Sequence, residues 1–580
     1  MDSVHKRKLT FGGQPIDGYR IVHGKDAPLH STEAAADLAV YLEKTCGILL
    51  PVVTDAEAAT KKEILVGSTN RDTAEISALR GSLKNDGILI FAHDGKLYLE
   101  SESALGVRYA VAKFLEKYIG WRFYDEKNER LLPAESIDIP AEFCDTHSSP
   151  LLYRHTDWQL PKEYRRRVGL NGEDGIENSI VGFCHTLGAL SETSNDSQPC
   201  LSDENVYQTV LKNVRQWIVE HPGCRIISVT QNDNDHYCTC PKCSALAEKE
   251  NQSGVMLNFV NRLADDIAVD YPDVYLLTFA YWYTRKPPVT IKPRDNVIIW
   301  LCSIECCFSH VLEDPDCERN LEFANDIRTW AGIAKQVYIW DYTTDYSRFI
   351  APFPNFKTLL PNTKFFVDNG AIAIYEEGGY QQPENGEFRS LRGYLIAQMQ
   401  WNPSMDEAEY NALCDDFLEG YYGAGWKYVR EYIDKTCEKV QKTHMGIFAD
   451  PVTFFPNENG QPDLPFWYDM AKLWELAEAA AEDERTAANC RHSRIQADFM
   501  IASCKAAVDG KSDTGLNEKL IRNVLDAGIT RHKEGGGEFA ETKYLGNGHW
   551  KGIELCPPTF WCDLPNKDFR SKLGIIRAEE

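Results

Sequence analysis

The chain has 580 residues, 43% hydrophobic and 26% charged, which is typical of a globular protein with about three domains. Its 62 basic and 87 acidic residues give a net charge of −25, so we expect neither nucleic acid nor a membrane as partner, because phosphate binding needs a basic face. No apolar run is long enough to span a bilayer, and the basic start Met1–Phe11 leads into no apolar segment, so we expect a cytoplasmic protein without a signal peptide.

Residues 1–140 are predicted to form a small α/β accessory domain. Its short apolar runs are typical of strands, and Ala35, Leu38 and Leu42 recur at the spacing of one helix face. The predicted elements are the strands Tyr19–Val22 and Glu63–Val66, a helix between Ser31 and Gly47, the hairpin Gly87–Phe91/Lys96–Leu99, and a helix from Ala104 to Tyr118.

Strands and helices alternate over residues 150–425, which predicts an α/β fold of the (β/α)8 TIM-barrel type. A weak eighth strand is predicted near Tyr394–Met399, although Leu391–Gln400 is equally compatible with a helix. The other predicted strands are Leu151–Arg154, Ile180–Phe183, Arg225–Val229, Val274–Phe279, Val297–Leu301, Val337–Trp340 and Ala371–Tyr375. Residues 426–580 are predicted to be mainly helical, with helices at 426–442, 465–482, 486–507 and 517–532.

Two of the predicted barrel strands run into glutamates. Val297–Leu301 leads to Glu305, and Ala371–Tyr375 leads directly to Glu376 and Glu377. Barrels present catalytic groups at the C-terminal ends of their strands, and glycosidic bonds are cleaved between two carboxyl groups. We therefore predict Glu305 and Glu376 as a catalytic pair. The other interpretation is that each is one surface acid among 87 acidic residues.

Strand alternation separates the neighbouring glutamates. Ile372, Ile374 and Glu376 share one face of the predicted strand, whereas Tyr375 and Glu377 share the other. Because barrel interiors favour bulky branched side chains, the isoleucine face and Glu376 are expected to point inward. A bulge or turn at the strand end would reverse this and bring Glu377 into the site.

Polar and aromatic residues follow several other strands, where they suit the binding of sugar hydroxyls and sugar rings. Thr230–Asp235 is one such run, although Asx-rich segments are also ordinary turn formers. Trp340–Tyr346 is another, and an aromatic core edge is its alternative interpretation. The residues predicted to bind substrate are His155, Asp157, His185, Asn232, Asp233, Asn234, Trp340, Asp341, Tyr342, Glu377 and Trp401.

Most of the 18 cysteines are expected to be buried reduced thiols, because their spacing is irregular. His236, Cys238, Cys240 and Cys243 are an exception, since they are four closely spaced residues of the types that tetrahedral zinc uses. A structural zinc is one interpretation, and buried thiols or a local disulfide are the others. No Gly-x-Gly-x-x-Gly follows a strand, so no cofactor is expected to be required for catalysis.

Seven short motifs together resemble glycoside hydrolase family 163, a bacterial family formerly of unknown function. They are Cys200–Asp203, Ile226–Asn234, Cys238–Cys243, Ile304–Phe308, Trp340–Thr344, Tyr375–Gly378 and Met399–Pro403. The likeness extends over residues 18–430. In addition, Leu105–Tyr124 resembles the accessory N-terminal domain that precedes the barrel in α-glucuronidases and β-hexosaminidases.

The family resemblance implies an endo-β-N-acetylglucosaminidase that cleaves the chitobiose core of N-glycans, with Glu305 and Glu376 as its catalytic pair. We predict a retaining mechanism with Glu305 as general acid/base and Glu376 as nucleophile. On a 2-acetamido sugar, the substrate's own acetamide can attack instead. The alternatives are an exo-acting hexosaminidase or α-glucuronidase-like enzyme, and a non-catalytic carbohydrate-binding barrel. In each case the partner is an oligosaccharide.

Overall fold

The computed structural model describes residues 6–158, 160–172, 180–223, 225–379, 387–511, 513–529, 531–534, 536–538, 543–546 and 549–551. The chain divides into two compact units. The first comprises Met1–Arg154, Leu160–Asp174 and Ala397–Pro403, and the second comprises His155–Gln159, Gly175–Ile396 and Ser404–Glu580.

A mixed six-stranded sheet forms the centre of the first unit, in the order β11-β6-β7-β5-β3-β4. Val22, Leu65, Leu89 and Tyr98 from this sheet pack together in a core cluster. The elements are β1 (Lys8–Phe11), β2 (Gln14–Pro15), β3 (Arg20–His23), α1 (Leu29–Cys46), β4 (Val52–Thr54), β5 (Glu63–Val66), α2 (Ala74–Gly81), β6 (Ile88–His93), β7 (Lys96–Ser101), α3 (Ala104–Phe114), β8 (Trp121–Phe123), β9 (Glu129–Leu131), β10 (Ser136–Ile139), β11 (Phe143–His147) and α4 (Lys162–Val168).

The local sequence explains the boundaries of several of these elements. Gly47 ends α1 in the left-handed conformation, with φ 73°, and the Ser103 side chain accepts a hydrogen bond from Gly106 N at the start of α3. Asp94 and Gly95 turn the β6/β7 hairpin with φ 47° and 74°. Positive φ at both central residues matches the twist of a tight hairpin. The predicted strands, hairpin and helices of this region are therefore found close to their expected positions.

A parallel seven-stranded sheet forms the centre of the second unit, in the order β12-β18-β17-β16-β15-β14-β13. Each predicted strand of residues 150–380 is present, and strands adjacent in sequence from β13 to β18 are also adjacent in the sheet. This is the order of a curled, barrel-like sheet. The strands are β12 (Tyr153–Thr156), β13 (Ile180–Val181), β14 (Ile226–Ser228), β15 (Tyr275–Ala280), β16 (Val297–Cys302), β17 (Gln336–Tyr342) and β18 (Ala371–Glu377).

The prediction of an eighth strand near Tyr394–Met399 is wrong, because this segment lies within helix α10 (Arg389–Trp401). Every residue of that helix is buried. Because polar side chains such as those of Arg392 and Gln400 are buried together with the apolar ones, the segment has no exposed face whose spacing would distinguish a helix from a buried strand. In the part of the chain that the structure describes, the parallel sheet thus has seven strands, and a complete (β/α)8 barrel is not confirmed.

Helices account for most of the remaining second unit. The predicted C-terminal helices at 426–442, 465–482 and 486–507 correspond to α12, α13 and α14, whereas the predicted helix at 517–532 ends earlier, because Gly528 adopts φ 74° after α15. No helix within the described ranges combines the length and the apolar character that crossing a membrane requires. The helices are α5 (Leu187–Ser191), α6 (Glu204–Glu220), α7 (Pro241–Asp270), α8 (Glu318–Ala331), α9 (Phe356–Asp368), α10, α11 (Glu407–Tyr422), α12 (Trp426–Val440), α13 (Leu464–Ala480), α14 (Glu484–Asp509) and α15 (Thr514–Asp526), and the short strands β19 (Arg531–Lys533), β20 (Gly536–Glu538), β21 (Lys543–Gly546) and β22 (His549–Lys551) follow.

Candidate active site

A pocket of about 310 Å³ lies at the carboxyl ends of the strands of the parallel sheet. Every strand from β12 to β18, or the loop directly after it, contributes to the lining, as expected for the end of a barrel-like sheet that carries the ligand site. The lining residues are Asp157, Phe183, Cys184, His185, Asp233, Phe279, Tyr281, Cys302, Ile304, Trp340, Tyr342, Tyr346, Tyr375, Glu377, Phe448 and Glu534.

Aromatic rings fill the sheet interior beneath and beside the pocket. Phe183, Phe279, Trp300, Trp340 and Tyr375 contact one another with ring centroids 4.7 to 6.1 Å apart. The Trp340 and Tyr375 rings meet edge to face at 4.7 Å and 89°. Interlocked rings of this kind are rigid, so the pocket wall presents a fixed apolar surface of the type on which sugar rings pack.

Glu377 brings a carboxyl group to this wall. Trp340 Nε1 donates a hydrogen bond to Glu377 Oε2 at 2.6 Å, and Thr343 N donates one to the Glu377 carbonyl at 2.9 Å. Burial and then the negative charge of Asp157 raise the pKa of Glu377 well above its ordinary value, while the bond from Trp340 opposes this shift. The net effect favours the protonated form of this carboxyl group.

Asp157 supports the end of β18 beside Glu377. Its Oδ2 accepts a hydrogen bond from the Tyr375 hydroxyl at 2.6 Å, and its Oδ1 accepts one from Gly378 N. Gly378 is required here, because a Cβ at this position would lie 2.5 Å from the Trp158 ring. The sequence predicted Asp157 as a substrate-binding residue, and the structure places it in the lining, where it also fixes the chain that carries Glu377.

Glu376 points away from the pocket, so the expectation that its face of the strand would turn inward is wrong. Its side chain is 1% exposed, and it lies opposite Asp341 in the register between β17 and β18. Burial, followed by the charge of Asp341, raises the pKa of Glu376. The physical reason for the reversal is that aromatic side chains, such as that of Tyr375, fill the sheet interior in place of the branched aliphatic residues that we expected.

Asp341 lies beside Glu376 on the side of the sheet that points away from the pocket, and it therefore does not line the pocket. Ser303 Oγ donates a hydrogen bond to Asp341 Oδ1, and burial raises the pKa of Asp341 to about 6. Its neighbours Trp340 and Tyr342, which were also predicted to bind substrate, do line the pocket. Strand alternation accounts for this division of the Trp340–Tyr342 segment.

Asp233 is the member of the Thr230–Asp235 run that lines the pocket. The Tyr281 hydroxyl donates a hydrogen bond to its Oδ1 at 2.9 Å. Asn232, by contrast, is 1% exposed and bonds backbone groups, accepting from Gly188 N at 2.9 Å and donating to Ser197 O at 2.8 Å. Asn234 likewise donates to the Asn195 carbonyl at 2.8 Å. The two asparagine side chains therefore hold the loop by bonding backbone groups, and Asp233 is the residue between them whose side chain faces the pocket.

Glu305 lies beyond the end of β16 and outside the set of pocket-lining residues. It is 37% exposed and pairs with Arg285 at 3.0 Å, which also contacts Asp326 at 2.9 Å and Glu322 at 3.2 Å. Ile304, its immediate neighbour, does reach the pocket. The structure therefore does not bring the predicted pair, Glu305 and Glu376, together in the pocket.

Of the three remaining residues predicted to bind substrate, only His185 lines the pocket. His185 lines the pocket, and its Nδ1 bonds the Gln231 carbonyl at 2.8 Å, so Nε2 is the nitrogen left for a ligand. His155 stacks on Tyr375 at 5.2 Å and 12° and is 4% exposed. Trp401 belongs to the first unit, where its ring lies 5.4 Å from that of Tyr109.

Sequence reasoning missed several lining residues. Tyr281 directly follows β15 and could have been found by the same strand-end rule that selected Glu377. Phe448 and Glu534 come from segments distant from any strand of the sheet, and no sequence pattern marks them. Glu534 N donates to the Tyr346 carbonyl at 2.8 Å, which attaches this segment to the pocket wall.

Three of the four predicted metal ligands lie close together, and the fourth, His236, does not join them. Cys238, Cys240 and Cys243 form a cluster whose fourth member is Cys200, because the intervening chain folds Cys200 back onto them. His236 does not join this cluster: it is exposed, and its Nδ1 bonds the Asp196 carbonyl at 2.9 Å.

Comparison with known proteins adds a family domain and a fold. Residues 187–434 match the family model described as a domain of unknown function, DUF4838. No curated protein matches the chain. Membership of glycoside hydrolase family 163 is therefore not confirmed.

The structural neighbours are glycoside hydrolases. One is a family GH115 4-O-methyl-α-glucuronidase with specificity for decorated arabinogalactans, at 11% identity and a TM-score of 0.56, with 90% of this chain and 76% of that chain covered. Another is a family 89 glycoside hydrolase from Clostridium perfringens in complex with 2-acetamido-1,2-dideoxynojirimycin, at 9% identity and a TM-score of 0.49, with coverage of 86% and 66%. At these identities, the likeness to the first neighbour shows a shared fold.

Proposed function

We propose that the protein is a glycoside hydrolase and that Glu377 is its catalytic acid. The observation that carries this proposal is a carboxyl of raised pKa, held by Trp340 in an aromatic pocket at the carboxyl end of a parallel sheet. A carboxyl that is protonated at neutral pH can give its proton to the leaving glycosidic oxygen. Positioned proton transfer of this kind contributes about 10²–10⁴-fold to the rate.

Asp233 is the second carboxyl group in the proposal. It enters the pocket from the loop after β14, whereas Glu377 lies on β18, and its charge contributes to the raised pKa of Glu377. Asp157 is less suitable, because the Tyr375 hydroxyl and Gly378 N already engage its two oxygens. Asp233 would attack the anomeric carbon, or it would orient a substrate acetamide that attacks in its place. Both routes retain the anomeric configuration.

The charge of the pocket supports a neutral sugar as substrate. Among the described lining residues, the carboxylic side chains Asp157, Asp233, Glu377 and Glu534 are present without a lysine or arginine. A uronic acid would place its carboxylate in this acidic surrounding, which is unfavourable because like charges repel. We therefore propose a β-linked N-acetylglucosamine-containing glycan, the substrate class that the sequence motifs imply. An α-glucuronide is the alternative, supported by the fold of the GH115 neighbour.

The test is hydrolysis of a panel of N-glycans, N-acetylglucosaminides and 4-O-methylglucuronides, read by mass spectrometry. We expect cleavage of the N-acetylglucosamine-containing substrates, with loss of about 10²–10⁴-fold in kcat/KM for Glu377→Gln. Glu376→Gln is the matched control: it changes the adjacent residue on the other face of β18 and should retain activity within about tenfold.

Further variants separate the alternatives. Asp233→Asn should lose activity to a similar degree, whereas a large loss in Glu305→Gln with an active Asp233→Asn would make Glu305 the second carboxyl group. Full activity in Glu377→Gln would contradict the proposed acid. Glycan binding by calorimetry without any turnover would instead support a non-catalytic carbohydrate-binding protein.

A further inference from the structure

Four side chains that were not predicted from the sequence as metal ligands converge in the second unit. Cys307, His310, Cys317 and His444 each direct one ligand atom into a cluster whose atoms all lie within 4.8 Å of one another. The Cys307 sulfur is 3.3 Å from His310 Nδ1, and the Cys317 sulfur is 3.7 Å from His444 Nδ1. Three of these residues lie between β16 and α8, and His444 follows α12.

These distances fit a tetrahedral zinc ion. Zinc binds thiolate sulfur at about 2.3 Å and imidazole nitrogen at about 2.0–2.1 Å, so a sulfur and a nitrogen of the same tetrahedron lie about 3.6 Å apart. The observed 3.3 and 3.7 Å lie on either side of that value. Two cysteines and two histidines also complete the ligand set of a closed structural site.

The surrounding hydrogen bonds orient the ligands. His310 Nε2 donates to the Gln441 carbonyl at 3.0 Å, which leaves the Nδ1 lone pair facing Cys307. Metal-binding histidines characteristically use their second nitrogen in this way. The buried Asn320 side chain donates to the carbonyls of Cys307 and His310 at 2.8 and 2.9 Å and accepts from Cys307 N at 2.8 Å. The part of the loop that carries Cys307 and His310 is thus held from within.

We propose that Cys307, His310, Cys317 and His444 bind a structural zinc ion. The ion connects the loop after β16, which contains Ile304, to the segment after α12, which contains Phe448. The same two segments are joined by a hydrogen bond from Phe308 N to the Met445 carbonyl at 2.9 Å. Because Ile304 and Phe448 both line the pocket, the ion fixes part of the pocket wall without contacting a ligand.

We propose a second structural zinc site, on separate observations, at Cys200, Cys238, Cys240 and Cys243. The Cys200 sulfur lies 3.8 Å from that of Cys240 and 3.9 Å from that of Cys243. Two sulfurs of a zinc tetrahedron are about 3.8 Å apart for bonds of about 2.3 Å, whereas a disulfide would need about 2.05 Å. Cys240 caps α7 and its sulfur accepts from Cys243 N at 3.5 Å, so the start of α7 shapes this site.

Metal analysis of the purified full-length chain tests both sites. We expect about two zinc ions per chain, and about one in Cys317→Ser and in Cys240→Ser, because each substitution removes a ligand of one closed site. The matched controls are Cys306→Ala, which changes the neighbour of Cys307, and His236→Ala, which changes the exposed histidine beside the four-cysteine cluster. Both controls should keep about two zinc ions.

The outcomes distinguish the two proposals. A single zinc that is lost only in Cys240→Ser would overturn the site at Cys307, and one lost only in Cys317→Ser would overturn the four-cysteine site. If a variant does not fold, wild-type protein loaded with cobalt(II) provides the readout. Thiolate-to-cobalt charge-transfer bands from two sites are then expected, and a spectrum without them would overturn both.

Discussion

Glu376 and Glu377 are adjacent in sequence, but they lie on opposite faces of β18 in different surroundings. Glu377 reaches a pocket in which Trp340 donates to its carboxylate. Glu376 is 1% exposed, and its Oε2 atom has no hydrogen-bond partner among the described residues. Burial raises the pKa of both groups, although only Glu377 lies in a pocket that a ligand can enter.

This difference shows that a raised pKa alone does not identify a catalytic carboxyl. Perturbed groups occur at functional sites and also in interiors, where burial penalises the charged form. The distinguishing features of Glu377 are its access to a cavity and the donor that orients it. Glu376 instead resembles a residue whose charge the fold suppresses.

The largest expected effect concerns proton donation by Glu377. Glu377→Ala should lower kcat about 10²–10⁴-fold on substrates with poor leaving groups, because these need a proton in the transition state. Dinitrophenyl glycosides need little protonation, so on them the loss should be much smaller. Steady-state kinetics on both substrate types provide the comparison, and an equal loss on both would argue against an acid role.

Trp340→Phe should move the basic limb of the pH–rate profile to higher pH. The indole N–H stabilises the ionised form of Glu377, so its removal raises the pKa and keeps the acid protonated at higher pH. A shift of about one pH unit corresponds to about 1.4 kcal/mol. The profile of kcat/KM from pH 4 to 10 measures this shift, and Trp300→Phe, in the same aromatic cluster, serves as control.

Asp157→Asn should move the same limb in the opposite direction. The Asp157 carboxylate raises the pKa of Glu377, so replacing it with a neutral amide lowers that pKa and the acid is lost at lower pH. The asparagine oxygen can still accept the bond from the Tyr375 hydroxyl, whereas the bond from Gly378 N is lost. If Trp340→Phe and Asp157→Asn shifted the limb in the same direction, Glu377 would not be the titrating group.

The smallest effect is expected from Glu376, on the face of β18 that points away from the pocket, and it is a change in stability. The pKa of Glu376 is higher in the folded state than in the unfolded state. Its contribution to the free energy of unfolding is therefore fully present below the unfolded-state pKa of about 4.3 and is lost as the pH rises through the folded-state pKa. Glu376→Gln removes this titration. The free energy of unfolding should then fall less steeply above pH 5, by up to about 1.4 kcal/mol per pH unit.

Denaturant titrations at several pH values from 5 to 8 measure the stability change for Glu376→Gln. The exposed Glu458→Gln should show the wild-type slope, because its carboxyl lies in solvent. A slope unchanged in Glu376→Gln would mean that this carboxyl is not held protonated by the fold.

The sequence by itself determined much of the fold. The apolar runs located all seven strands of the parallel sheet, and the strand-end rule selected Glu377, Asp233, Asp157, His185 and Trp340 among its candidates. Local signals were sufficient here, because strand length, caps and turns are encoded by neighbouring residues. The prediction of an eighth strand failed because such a local signal is missing there. Helix α10 is buried on all sides, so its sequence shows no helical spacing of polar and apolar residues.

Only the tertiary structure decided which face of each strand meets the pocket and which distant residues join it. The face of β18 that turns toward the pocket is the one whose Tyr375 side chain packs in the aromatic cluster. The members of this cluster are spread along the chain from Phe183 to Tyr375. Cys200 meets Cys240, and His444 meets Cys317, across 40 and 127 residues. Such contacts depend on how the whole chain packs, which local residue patterns do not specify.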